Sequence, residues 1–288
     1  MKDLSHTPIQ IFNTKQLRTV ELLQPTNSSL QSYGHILGTR VDITSYEAAT
    51  NQIIKWAKAK ESRYVCTANV HMLMEAYDDP AFSTVMNQAD LVTPDGMPLV
   101  FALQALVEEK VDRVCGPDLT LYICQAAAKH GIPIGFYGSD SETLESFATT
   151  LRQEFPGIKI VCQISPPFRP LTPAEDEVLT QQIIDSKAQI LFVGLGCPKQ
   201  ETWMFNHRGR IKASMIGIGA AFNFHSGKVK RAPKWIQNIC MEWAYRLIQQ
   251  PKHLWRRYAK HNLRFLIFLI AELLTLRSVG SKQSETQT

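Results

Sequence analysis

The chain has no Cys-x-x-Cys pair. Its six cysteines, Cys66, Cys115, Cys124, Cys162, Cys197 and Cys240, are scattered. That spacing excludes a disulfide framework and a cysteine-built metal site, and it fits reduced thiols in a cytosolic protein. There is no His-Glu-x-x-His, and the eight histidines do not cluster along the chain, so no metal site is expected. No apolar run reaches the roughly 20 residues of a membrane span. The nearest, 265–276, is interrupted by Glu272. Residues 1–32 lack a secretory apolar core and read as a flexible leader.

Acidic residues are nearly missing from 207–277. Fourteen lysines and arginines stand there against Glu242 and Glu272 alone, so this segment carries +12 of a whole-chain +5 and the remainder carries −7. An acidic body with a basic tail implies a division between chemistry and contact with something anionic. The tail also holds Trp235, Trp243 and Trp255. Nucleic acid satisfies the charge, whereas a membrane surface satisfies both charge and apolar content.

What is present is a 44% apolar body, enough for a sizeable core. Apolar runs at 35–43, 63–67, 91–93, 132–137, 159–164, 189–193 and 214–218 read as strands. Helical periods fall at 45–60, 80–88, 98–108, 118–130, 141–155, 173–186 and 199–208, with Ser45 as a cap and Gly131 as a stop. The alternation predicts an α/β fold: a Rossmann-like, mainly parallel sheet with helices on both faces. That catalytic domain is expected over 33–232. A basic amphipathic helical appendage, with helices at 235–249 and 252–276, follows over 233–277, and a disordered tail over 278–288.

Such sheets place ligands at the C-terminal ends of their strands. Thr67 and Asn69 end one strand, where they either bind a polar substrate or, for Asn69, cap a helix. Asp95, between Pro94 and Gly96, ends another; it is either a general base or an ordinary turn residue. Gly194 and Gly196 lead into Lys199, Gln200 and Glu201 at a helix start, which suits a diphosphate. Lys199 stands where a dinucleotide fingerprint needs its third glycine, so a nicotinamide oxidoreductase is disfavoured. After the last strand, Gly217 and Gly219 precede a basic loop. There Arg231 either clamps a nucleotide-sugar phosphate or sits in a solvated loop beside a packed glycine turn.

The ordered set Thr67-x-Asn69, Pro94-Asp95-Gly96, Arg113-x-x-Gly116-x-Asp118, Gly194-x-Gly196-x-Pro198-x-Gln200-Glu201, Phe222-x-Phe224-x-x-Gly227, Arg231-Ala232-Pro233 and Glu242-Trp243-x-x-Arg246-Leu247 resembles the WecG/TagA/CpsF family of glycosyltransferases. The resemblance runs from about Ile36 to Arg257. It implies inverting, metal-independent transfer from a UDP-sugar, with no cofactor, to a polyprenyl-diphosphate-linked saccharide. The donor sugar it favours is N-acetylmannosamine and the acceptor sugar is N-acetylglucosamine, in cell-surface polysaccharide synthesis. Glucose and N-acetylmannosaminuronic acid are the alternative donors.

By resemblance, Asp95 is the base, Thr67 lines the catalytic pocket, and Gln200 is a pocket glutamine. Beyond what the resemblance assigns, Asn69, Gly96, Arg113, Gly196, Lys199, Glu201 and Arg231 are expected to bind substrate. The appendage arginines Arg246, Arg256 and Arg257 close over the diphosphate. Two positions depart from the family pattern: Asn223 replaces a frequent aspartate, and Gln250-Pro251-Lys252-His253 replaces Glu-Pro-x-Arg. The expected setting is cytoplasmic, peripheral on the inner face of the membrane and against its anionic surface, without nucleic acid. The basic nucleic-acid-binding protein is the rival class, and a homo-oligomer stays open.

Overall fold

The computed structural model describes residues 32–107, 110–238 and 241–285. Its centre is a six-stranded, all-parallel sheet ordered β4-β3-β8-β7-β5-β6. The strands are β3 (Arg63–Ala68), β4 (Leu91–Pro94), β5 (Pro133–Gly138), β6 (Lys159–Ile164), β7 (Ile190–Gly194) and β8 (Ser214–Gly217). Central strands buried on both sides should be apolar throughout, and β7 reads Ile-Leu-Phe-Val-Gly for that reason. Alternate side chains enter two separate cores. Tyr64, Cys66 and Ala68 of β3 join one, while Val65 joins the other.

One face is covered by α1 (Tyr46–Lys58), α5 (Gly116–His130), α6 (Ser141–Glu154) and α9 (Ala221–His225). The other is covered by α2 (Val70–Asp78), α3 (Pro80–Asn87), α4 (Met97–Val107), α7 (Pro173–Asp185) and α8 (Lys199–His207). Local chemistry sets the helix ends. Ser45 accepts from the Ala48 N–H, Thr172 and Glu175 form a reciprocal capping box, and Gly131 closes α5 at φ 65°.

The expected strand at 35–43 is instead a hairpin, β1 (Tyr33–Ile36) and β2 (Thr39–Asp42), turned at Leu37 and Gly38. It lies beside β4, and the buried Asp42 accepts the Val92 N–H at 2.7 Å. That bond occupies a backbone donor of an edge strand. Helix α2 is absent from the expected helical periods and was anticipated only by the capping alternative at Asn69. It begins one residue after β3, with the Asn69 side chain accepting from Met72 N–H at 3.2 Å.

Beyond residue 233 the expected first helix is two, α10 (Lys234–Asn238) and α11 (Glu242–Gln249). The second, α12 (Pro251–Glu285), continues through 278–285, where disorder was expected; no proline interrupts it there. Helix α12 carries two apolar stripes on opposite faces. His261, Phe265 and Leu269 are buried, and the last two join the core beside α2. Leu263, Leu266, Ile267, Ile270 and Leu274 face out. Among the described residues, no helix is long and apolar enough to cross a membrane. The leader expected over 1–32 lies, but for Ser32, outside the described residues.

Candidate functional site

The ends of β3 and β4 are joined where the Asp95 N–H donates to Ala68 O at 2.8 Å. This brings Thr67, Asn69, Asp95 and Gly96 to one edge of the sheet. The Thr67 hydroxyl donates across to Gly217 O of β8 at 2.9 Å, so its proton is committed to the fold. Asn69 is occupied as the α2 cap, the alternative its sequence had offered. Gly116 lies close against this group: a Cβ on it would stand 3.2 Å from Thr67 Oγ1, a tight approach.

Asp95 sits between two donors. Arg113 Nη2 approaches Asp95 Oδ1 at 3.4 Å while Arg113 Nε donates to the Asp95 carbonyl, and Gly116 N–H faces Oδ2 at 3.4 Å. The same Arg113 Nη2 donates to Glu242 Oε2 of α11 at 2.8 Å. Burial pushes the Asp95 carboxyl above its ordinary range. Arg113 opposes this, Glu242 adds to it, and Gly116 N–H and Arg246 oppose it further. About a fifth of the Asp95 side chain stays exposed, enough for a ligand to reach it.

A second layer surrounds this group. Arg231 binds both oxygens of Asp118, reaches Cys115 Sγ at 3.2 Å, and lies 3.7 Å from Glu242 Oε1. Tyr46 OH meets Cys115 Sγ at 3.2 Å and donates to Asp118 Oδ2 at 3.4 Å. Burial pushes the Cys115 thiol up to about 12, so it stays protonated and no nucleophile. The expected phosphate clamp Arg231 is thus committed to carboxylates, because Asp118 and Glu242 bracket it.

Farther along the same edge, α8 begins at Lys199, which is exposed. A cleft of about 550 Å³ opens there, lined among others by Tyr137, Ser139, Phe168, Gly194, Lys199 and Trp203. Gly196 stands at the turn with φ 81°. Glu201, expected to bind substrate, is turned fully inward. Its Oε1 accepts from Gln200 Nε2 at 2.5 Å, and burial pushes its carboxyl up to about 7. Gln200 is buried with it at the end of β8. A Cβ on Gly217 would touch Gln200 Nε2 at 3.0 Å, and Gln200 Oε1 has no donor among the described residues.

Of the appendage arginines, Arg246 lies over the Phe224 ring at 5.4 Å and lines a niche with Asn223 and Gln250. It also acts on the Asp95 charge. Arg256 is exposed, over the Trp255 ring at 5.4 Å, and is not brought to Asp95. The Arg257 side chain lies outside the described residues.

A half-buried carboxylate braced by guanidinium groups at the C-terminal edge of a parallel sheet, beside a cleft that opens on a helix N-terminus, is the layout of an α/β enzyme handling an anionic substrate. The sequence model of the glycosyl transferase WecG/TagA/CpsF family matches residues 34–279. The chain belongs to that family and is a glycosyltransferase. It is 29% identical over 195 residues to the N-acetylglucosaminyldiphosphoundecaprenol N-acetyl-beta-D-mannosaminyltransferase of Bacillus spizizenii strain W23, covering 67% of this chain and 74% of that one. It is 29% identical over 194 residues to the protein of the same name from Bacillus subtilis strain 168, covering 67% and 73%.

Sequence reasoning placed Glu242 in a motif but gave it no role. The available signal was its rarity: it is one of two acids in a strongly basic segment. The other, Glu272, accepts the Leu37 N–H at 3.1 Å. Both acids of the tail therefore tie it to the body. Tyr46 and Cys115 gave no signal, since their meeting depends on the packing of α1 against α5.

Proposed function

We propose that the enzyme transfers N-acetylmannosamine, with inversion and without a catalytic metal, from a UDP-sugar to a polyprenyl-diphosphate-linked N-acetylglucosamine. The observation that carries this reading is Asp95: a partly exposed carboxylate, raised in proton affinity, held at the end of β4. An acceptor hydroxyl attacks the anomeric carbon, its proton passes to Asp95, and the bond to UDP breaks. The raised proton affinity suits a base that must hold the proton it receives.

The cleft at β7 and β5 receives the nucleotide. Three strand spacings, about 14 Å, separate the ends of β4 and β7, a distance that an extended nucleotide sugar bridges. Lys199, the N-terminus of α8 and Arg246 offset the diphosphate charge. Arg113 and Arg231 hold Asp95, Glu242 and Asp118 in place instead of binding phosphate. The names of the two Bacillus relatives support the donated sugar and the acceptor.

The outward stripe of α12, Leu263 to Leu274, with the exposed Trp235, Trp255 and Ile248, supports docking on an anionic membrane face where the lipid-linked acceptor resides. The basic residues do not all face that way, since Lys260 and Arg264 turn to Asp78 at 3.7 and 2.7 Å. The deciding experiment is a panel of UDP-sugars with polyprenyl-diphosphate-N-acetylglucosamine, reading UDP release. UDP-N-acetylmannosamine should be turned over fastest. Faster turnover of UDP-glucose, or of the uronic acid, overturns the donor assignment.

A further inference from the structure

Helix α2 brings together a group that the sequence keeps far apart. His71 and Glu75 stand four residues apart on its surface, one turn above each other. From α12, His261 reaches the same spot. His261 Nε2 is 3.4 Å from Glu75 Oε1, and His71 Nε2 is 3.6 Å from the same oxygen. The two imidazoles are 5.0 Å apart, edge to face, and one ligand atom from each of the three side chains lies within 4.8 Å of the others.

We propose that His71, Glu75 and His261 bind a divalent transition-metal ion, zinc being the best fit, that fastens α12 to α2. Two imidazoles and one carboxylate are a donor set for zinc, and the nitrogen ligands disfavour calcium and magnesium. Bonds of about 2.0–2.1 Å in a tetrahedron put ligand atoms roughly 3.4 Å apart. Both contacts to Glu75 already have that spacing, so only the two histidines need approach.

His261 supplies an independent observation. It is 3% exposed, and among the described residues its Nδ1 has no hydrogen-bond partner while its Nε2 meets Glu75 Oε1 at 3.4 Å. Burying an imidazole with so few partners is costly; a metal on Nε2 replaces the loose contact to Glu75 with a bond and offsets part of that cost, while Nδ1 takes no part. The nearest cations do not forbid the ion, because Lys260 and Arg264 are both met by Asp78. This metal takes no part in sugar transfer. It fixes α12 against a helix whose first residue follows the Asn69 cap.

The test uses the full chain stripped with EDTA and titrated with zinc against a chromophoric chelator, and with cobalt(II) read by visible absorption. One equivalent should bind. The cobalt spectrum should show tetrahedral bands without the near-ultraviolet band of a thiolate, which separates this site from the cysteines. His71→Ala and Glu75→Gln should each weaken binding by more than the roughly 100-fold that even outer-shell changes cause, and should abolish the zinc-dependent rise in Tm. Both side chains are partly exposed, so these variants keep the fold, as circular dichroism would verify. Binding of no equivalent by the wild-type chain, or unchanged binding in both variants, overturns the proposal.

Discussion

Phe265→Ala separates two roles that one helix plays at once. Phe265 is 3% exposed and packs in the core beside α2, whereas Leu263, two residues away on the same helix, is 63% exposed. Emptying a buried phenylalanine site costs about 3–5 kcal/mol, a large part of the ~5–15 kcal/mol that holds a domain folded. At about 2–4 °C per kcal/mol for a chain of this size, Tm should fall by roughly 6–20 °C. Leu263→Ala should stay within about 0.5 kcal/mol.

The ionic clamp nearby does not compete with this. Arg264 and Asp78 are each about a third exposed, and such pairs contribute at most about 1 kcal/mol. Arg264→Ala should therefore be the milder change by several-fold. Thermal and urea unfolding of the three variants measure the order. Flotation on anionic vesicles should respond in reverse, weakened by Leu263→Ala together with Ile267→Ala but not by Phe265→Ala assayed below its Tm. Equal losses of stability for Phe265→Ala and Leu263→Ala would refute the docking of α12. By the same packing, a chain cut after Pro233 should unfold at lower temperature than the full chain, because the cut strips Phe265 and Leu269 from the core.

Asp95→Asn should keep the unfolding transition and lower turnover at least ~10²-fold; near-normal turnover removes Asp95 as base. Glu242→Gln takes away a negative charge that raises the Asp95 pKa, so the acidic limb of the rate profile should move to lower pH, and a move upward contradicts the network. Glu201 has a folded pKa pushed up to about 7, above its unfolded value. Its favourable contribution is therefore complete below about pH 4 and lost as pH rises through 7. Glu201→Gln should flatten that loss, gaining up to about 3 kcal/mol at pH 8 relative to pH 4; parallel stability curves for the two proteins exclude it.

Strands were legible because a doubly covered sheet demands short unbroken apolar runs such as 190–193. The hairpin was not, because its two-residue turn, Leu37-Gly38, carries a single glycine and lacks the Asn-Gly or Asp-Gly pair that marks such turns. Helix α2 escaped because it leaves β3 without a loop and spans only nine residues, too few for its polar face of His71, Glu75 and Asp78 to stand out as a period. Asp95 stood out locally, between proline and glycine after a strand. Its partner Glu242 lies 129 residues from Arg113, and no spacing rule reaches that far. Glu201 misled for the opposite reason: a charged residue at a helix start looks like part of a mouth, and only its depth shows that it faces inward.

The tail's two acids, Glu242 on Arg113 and Arg231 and Glu272 on the Leu37 N–H, carry a consequence for protein engineering. The tail is not an exchangeable cartridge. A chimera bearing a foreign basic helix would attach to lipid by its own bases, yet leave Arg113 and the hairpin turn without their carboxylates. Grafts that restore acids at both positions should recover turnover, and grafts matched only in charge and length should not.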